Sequence, residues 1–162
     1  METGSIIIGI VLAAICIIPF VLVRQNKKRK EKQLLENLRN AAAEQQCLIS
    51  SHEVLGQMAI GMDASRRFVF FINNNHNELL VRYVNLADYR SCRAVNSSKA
   101  VNSGDSHFRV IDKVELVFIP VVKTNPDTTW TFYNAEDSSH LYGELEFVEK
   151  WAGLINTLIK KK

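Results

Sequence analysis

The run Ser5–Val23, SIIIGIVLAAICIIPFVLV, contains no charged side chain and no polar stripe. At about 1.5 Å per residue, a helix over it is roughly 28 Å long, close to the hydrocarbon thickness of a bilayer. A helix in a globular core keeps one polar face, which this run lacks. Pro19 fits a membrane helix, where neighbouring groups or water satisfy the freed carbonyl. A cleavable signal peptide is a poorer reading, because Met1–Gly4 carries Glu2 and no basic residue, and the apolar run is too long. A lipoprotein signal needs a small residue before its cysteine, and Ile15 precedes Cys16. The sequence therefore predicts a transmembrane helix at residues 5–23 behind a short tip at 1–4.

The flanks set its direction. Arg24, Lys27, Lys28, Arg29, Lys30 and Lys32 follow the run, and only Glu2 precedes it. Basic flanks stay in the cytoplasm, so the tip is expected outside the cell membrane and the long C-terminal part inside. The chain's net charge of +3 is concentrated in this collar and in the tail Lys160–Lys162, since basic and acidic residues balance at 13 each from Cys47 onwards. A nucleic-acid surface needs a basic excess in the folded part, which is absent. The collar is a topology signal and a possible contact for anionic headgroups through Lys27, Lys28, Arg29 and Lys30. Three scattered cysteines, Cys16, Cys47 and Cys92, suit a reducing compartment and neither a disulfide framework nor a zinc site.

Residues 24–46 read as a basic juxtamembrane helical stalk. Lys30–Gln46 has strong helix formers and neither Gly nor Pro. Leu34, Leu38, Ala41 and Gln45 share a narrow stripe, which favours a solvated stalk over a short coiled coil between protomers. Residues 47–162 read as one globular domain of antiparallel strands. Strand patterns fall at 57–62, 67–72, 78–84, 89–95, 107–122 and 128–134. The turns between them include 63–65, 73–77, 85–88, a polar loop at 96–106, and 125–127. These links are too short for helical crossovers. Phe68, Phe70 and Phe71 predict a strand buried on both faces, one under a helix and the other against a partner. An amphipathic helix closes the chain, with Asp137-Ser138-Ser139 as its N-cap and Leu141, Leu145, Val148, Trp151, Ala152, Ile155 and Leu158 at helical spacing. Leu145, Val148, Trp151 and Ile155 are its expected core face. Glu144, Glu146 and Glu149 read as a solvated acidic face.

The expected fold is α+β, with an antiparallel sheet of six to seven strands capped by a C-terminal helix. That pattern resembles the pleckstrin-homology-like fold over about Leu55–Ile159. The stretches AIGMDASRRFVFFI, VNLADYRSC and ELEFVEKWAGLIN look like those of small bacterial single-pass membrane proteins of unknown function. The resemblance implies a binding domain for phosphoinositides, peptides or proteins, with Trp151 plugging the barrel mouth. Lipid-binding members carry a basic cluster in the first hairpin loop. The resemblance places Arg66 and Arg67 there beside Asp63, a thinner patch.

No catalytic or metal constellation emerges from the residues. His52, His76, His107 and His140 adjoin Ser, Asn or Asp in predicted turns or caps, and none has metal-ligand spacing. Ser51-His52-Glu53 holds the residue types of a triad, but a triad is a geometry and not a run of neighbours. No phosphate-cradling glycine loop or nucleophile elbow occurs. No cofactor is expected. The sequence favours a membrane-anchored binding or scaffolding module that recruits a protein partner, ahead of an anionic-lipid sensor using Lys27–Lys30, Arg66 and Arg67. A membrane-tethered enzyme ranks third, and the sequence leaves the oligomeric state open.

Overall fold

A computed structural model describes residues 3–75, 78–103, 106–138 and 140–161, with the backbone alone described at 3–23, 100–103 and 106–109. Helix α1 spans Thr3–Glu44. Four strands follow, β1 (Ile49–Leu55), β2 (Met58–Asp63), β3 (Phe68–Asn75) and β4 (Glu78–Asn85), paired antiparallel in the order β1-β2-β3-β4. A short 3₁₀ turn at Leu86–Asp88 leads to β5 (Tyr89–Ser103), β6 (Ser106–Pro120) and β7 (Thr128–Asn134), a second antiparallel sheet in the order β5-β6-β7. Helix α2 (Glu144–Lys160) ends the fold. The architecture is α+β, with two antiparallel sheets in place of the expected single sheet.

The pleat explains both cores. Successive strand residues point to opposite faces. Met58, Ile60, Met62, Val69, Phe71 and Val84 therefore face inwards and meet Leu116, Phe118, Trp130 and Phe132 of the second sheet. Phe71 stacks on Trp130 at 5.4 Å, and Phe118 meets the same indole edge-on at 4.6 Å. Helix α2 adds Phe147, Val148, Trp151, Ala152 and Ile155 to this core. Three of the four expected core-facing residues, Val148, Trp151 and Ile155, are buried, and Leu145 is half-buried against them.

The alternate residues Ala59, Phe70 and Ile72 face outwards and are also buried, under Leu34, Leu38, Ala41 and Ala42 of α1. The expected solvated stalk is corrected here, since Leu38 is 0% exposed. Gly61 makes the close approach possible: a Cβ there would lie 2.7 Å from Leu38 Cδ2. The two-faced burial expected of β3 is met within one chain, α1 taking the place assigned to a partner.

Other expectations shift. Strand β3 continues through Asn75 and pairs Asn75 with Glu78, so Asn73–Asn75 of the expected turn cluster are strand, and residues 76–77 lie outside the described residues. The polar segment 96–106 is largely strand, in a long β5–β6 hairpin pairing Asn102 with His107. His52 sits in β1 rather than in a turn. Helix α2 starts at Glu144 behind Gly143, whose φ of 98° is left-handed, and not at Asp137-Ser138-Ser139. Glu144 is buried and its carboxylate accepts from the Tyr142 N–H in the segment leading into the helix, so it is not a solvated acid.

Among the described residues no helix is long and apolar enough to cross a membrane. The span expected at residues 5–23 rests on side chains outside that description.

Candidate functional site

The four sheet edges are treated differently. Strand β5 is closed by α2: the Cys92 N–H donates to Asn156 Oδ1 at 2.8 Å, and Asn156 Nδ2 donates back to the Cys92 carbonyl. The carboxamide thus imitates a strand partner. On β7, the Thr129 carbonyl accepts from Arg82 Nη1 at 2.8 Å. Strand β1 is polar, irregular between Ile49 and Ser51, and clamped to α2, where Glu53 Oε2 accepts from Lys150 Nζ at 2.9 Å and Trp151 Nε1 at 3.0 Å.

Strand β4 has no covering helix, clamp or register shift, and its charged residues are Glu78 and Arg82. It pairs with β3 over eight residues without a register shift, and six of its eight side chains are exposed. Leu79, Leu80, Val81 and Tyr83 are between 41% and 48% exposed. The register puts Leu79, Val81 and Tyr83 opposite Asn74, Ile72 and Phe70, on the outer face beside α1. Leu80 and Arg82 point the other way, into an open cleft of about 480 Å³ between β4 and β7 whose far wall includes Asp137, Tyr142 and Glu144. An edge strand with exposed apolar residues and no proline, lysine or bulge is a template for another strand.

The residues expected to touch anionic lipid are split apart. Lys30 lies beside the β1–β2 turn at Gly56-Gln57 and beside Asn74 and Leu79. Arg66 and Arg67 lie in the β2–β3 turn, at the other end of α1, where the Ala64 N–H donates to the Leu48 carbonyl at 2.8 Å. From Lys30 to the end of α1 at Glu44 is about 21 Å along the helix. The first hairpin loop is Gly56-Gln57, so Arg66 and Arg67 do not occupy the position the resemblance gave them.

That β2–β3 turn is built around Asp63. Its carboxylate accepts from the Ser65 N–H at 2.9 Å and from the Arg67 and Phe68 N–H groups at 2.8 Å, with Ser65 Oγ also bonded to it. Burial would raise the Asp63 carboxyl, but these hydrogen bonds outweigh it and hold the group below its ordinary value of 3.8. Asp63 is thus a turn-former, and Arg66 takes the left-handed φ of 57° that the turn requires.

Among the described residues, the cysteines and histidines offer no reactive centre. Burial pushes the Cys92 thiol up to about 12, and burial with the Asp63 charge raises Cys47, so neither thiol is activated. His140 is exposed against Tyr142, and His52 is exposed on β1. His76 and the side chain of His107 lie outside the described residues. Phe70 and Phe71 are fully buried packing residues and Phe68 flanks them, so no aromatic groove forms there. Among the described residues no group of three His, Cys, Asp or Glu side chains is placed to hold a metal.

The strand expected at 78–84 is present as β4, but its edge position escaped the sequence reading, because only strand order shows it. No protein-family model, curated protein or solved structure matches the chain.

Proposed function

We propose that this chain is a membrane-anchored binding module of pleckstrin-homology-like architecture that recruits a partner protein by strand addition to β4. The observation that carries the reading is the β4 edge, paired without a register shift on one side and exposing Leu79, Leu80, Val81 and Tyr83, in a fold that covers or blunts its other edges. The four-plus-three strand arrangement with a C-terminal helix supports the architecture. The uncharged run at 5–23 and the basic collar after it support the anchor and a cytoplasmic domain. Because α1 runs from that segment into the outer face of the β1–β4 sheet, the anchor fixes the domain's orientation and holds β4 at a constant attitude to the bilayer.

A second copy of the chain is the poorer occupant. Antiparallel pairing of β4 with itself has a two-fold axis perpendicular to the sheet. Helix α1 runs along the strands, from the Gly56 end to the Ala64 end, so the two anchors would point in opposite directions. They would not enter one membrane from the same side. An extended segment of another protein has no such restriction, and main-chain pairing supplies affinity while alternate side chains supply selectivity.

The test uses the full-length protein in its native membrane with a photo-reactive benzoylphenylalanine at Tyr83. The reading expects one discrete adduct, removed by Val81→Lys, because an edge lysine blocks strand addition. The same probe at Glu149, exposed on α2, gives no such adduct. No adduct at Tyr83, or equal labelling at both positions, contradicts the reading.

A further inference from the structure

The hydrogen-bond phase of β4 shows which of its main-chain groups are turned outwards. The Leu86 N–H donates to the Arg67 carbonyl at 2.7 Å, one step beyond the Phe68–Asn85 pair in the β3–β4 register. Opposed residues of an antiparallel ladder alternate between exchanging both bonds and exchanging neither. Val84, Arg82 and Leu80 therefore bond to Val69, Phe71 and Asn73, whereas Leu79, Val81 and Tyr83 turn their N–H and C=O groups away from β3. No described strand lies on that side. The same three residues have exposed side chains on the outer face, so one added strand meets both their main chain and their apolar surface.

That contact is small. From Leu79 to Tyr83 the edge is about 13 Å long. It offers one N–H and one C=O from each of three residues. Stable complexes between freely diffusing proteins bury roughly 1,600 Å² and carry about ten direct hydrogen bonds. An edge this short holds a partner only where the partner's effective concentration is already high. Confinement of both proteins in one bilayer supplies that, as a tether does, up to about the millimolar range.

Position and direction narrow the partner further. Leu79 lies beside Lys30 of α1, about 10 Å along the helix from the end of the uncharged run at Val23. That exceeds the headgroup layer, roughly 5–8 Å deep, so the edge stands clear of the lipid. About three extended residues span the distance. From Leu79 the strand runs away from the bilayer, towards the Arg66–Arg67 turn. An antiparallel occupant, the more stable pairing, runs towards the bilayer and ends at it. We propose that β4 receives the cytoplasmic segment that immediately precedes a transmembrane helix of another integral membrane protein. This partner class rests on the strand-addition reading above and on the membrane anchor.

The experiment uses the full-length protein in its native membrane, with benzoylphenylalanine at Leu79 in one preparation and at Tyr83 in another. Mass spectrometry of the adducts maps the cross-linked residue of the partner. Both adducts are expected on one integral membrane protein, within about ten residues before a transmembrane helix. The Leu79 adduct is expected about four residues nearer that helix than the Tyr83 adduct, because the occupant runs antiparallel. Dissolving the membrane in detergent before irradiation is expected to lower both yields about tenfold or more, from loss of confinement. Adducts on a protein without a membrane span, adducts in the reverse order, or yields that survive detergent overturn the partner class and leave strand addition in place. Adducts that Val81→Lys fails to remove, or none at either position, overturn strand addition itself and the partner class with it.

Discussion

Two helices cover this fold, and they do it differently. Helix α2 drives Phe147, Val148, Trp151 and Ile155 into an aromatic interior between two sheets. Helix α1 lays Leu34, Leu38, Ala41 and Ala42 on an outer face made of Ala59, Gly61, Phe70 and Ile72. One fills a deep space with large, mostly aromatic side chains, and the other approaches a shallow surface closely with two leucines and two alanines. The width of a helix's apolar stripe reports the depth of the surface beneath it, and not whether the helix is docked. A narrow stripe that includes alanines is compatible with full burial when the facing strand supplies Ala and Gly.

The comparison is most easily broken from the α2 side. Trp151→Ala should destabilise the protein by about 3–5 kcal/mol, read as a shift of the denaturation midpoint, because a fully enclosed indole leaves a large cavity. On the α1 side, Leu38→Ala should cost about 2–4 kcal/mol. A loss below about 0.5 kcal/mol would return residues 24–46 to the status of a solvated stalk.

Smaller effects sharpen the picture at the ends of α1 and α2. Asp63→Asn should cost about 1–3 kcal/mol near neutral pH, because the amide replaces a charged acceptor of several turn N–H groups. A carboxyl held below its unfolded value of 3.8 stabilises the fold above that pH, and the contribution is lost as pH falls through the lower folded value. Acid unfolding curves should therefore converge for the wild type and Asp63→Asn below pH 3.8, and curves that stay parallel would contradict the role given to this carboxylate. The smallest change is expected from Glu53→Gln, about 0.5–1 kcal/mol, since the Glu53–Lys150 pair is largely exposed. Thermal melts in low and high salt should narrow that difference as salt rises.

How far the sequence revealed this molecule depended on whether a local pattern carried the information. The α2 core face, the burial of β3 on both faces and the hairpin links were legible because periodicity and turn residues are local signals. The N-cap at Asp137-Ser138-Ser139 misled, since good capping residues stood five to seven positions ahead of a helix that starts at Glu144 behind a left-handed Gly143. The polar segment around 96–103 showed no apolar alternation because its strands form a hairpin with exposed side chains over the described stretch, where cross-strand bonding substitutes for a core. Strand β1, with ISSHE in sequence, hid for the same reason. The candidate sites were the least legible. The β4 edge depends on strand order, which no local pattern carries.

The docking of α1 carries the most weight, because the proposed attitude of β4 depends on it. Native-state hydrogen exchange of the full-length protein tests it directly, by comparing the amides of Leu34–Ala42 with those of Phe70–Ile72 and Val148–Ile155. The account predicts protection of α1 comparable to that of the other two segments, lost in Leu38→Ala from α1 before α2. Exchange of Leu34–Ala42 orders of magnitude faster than both core segments in the wild type would contradict it.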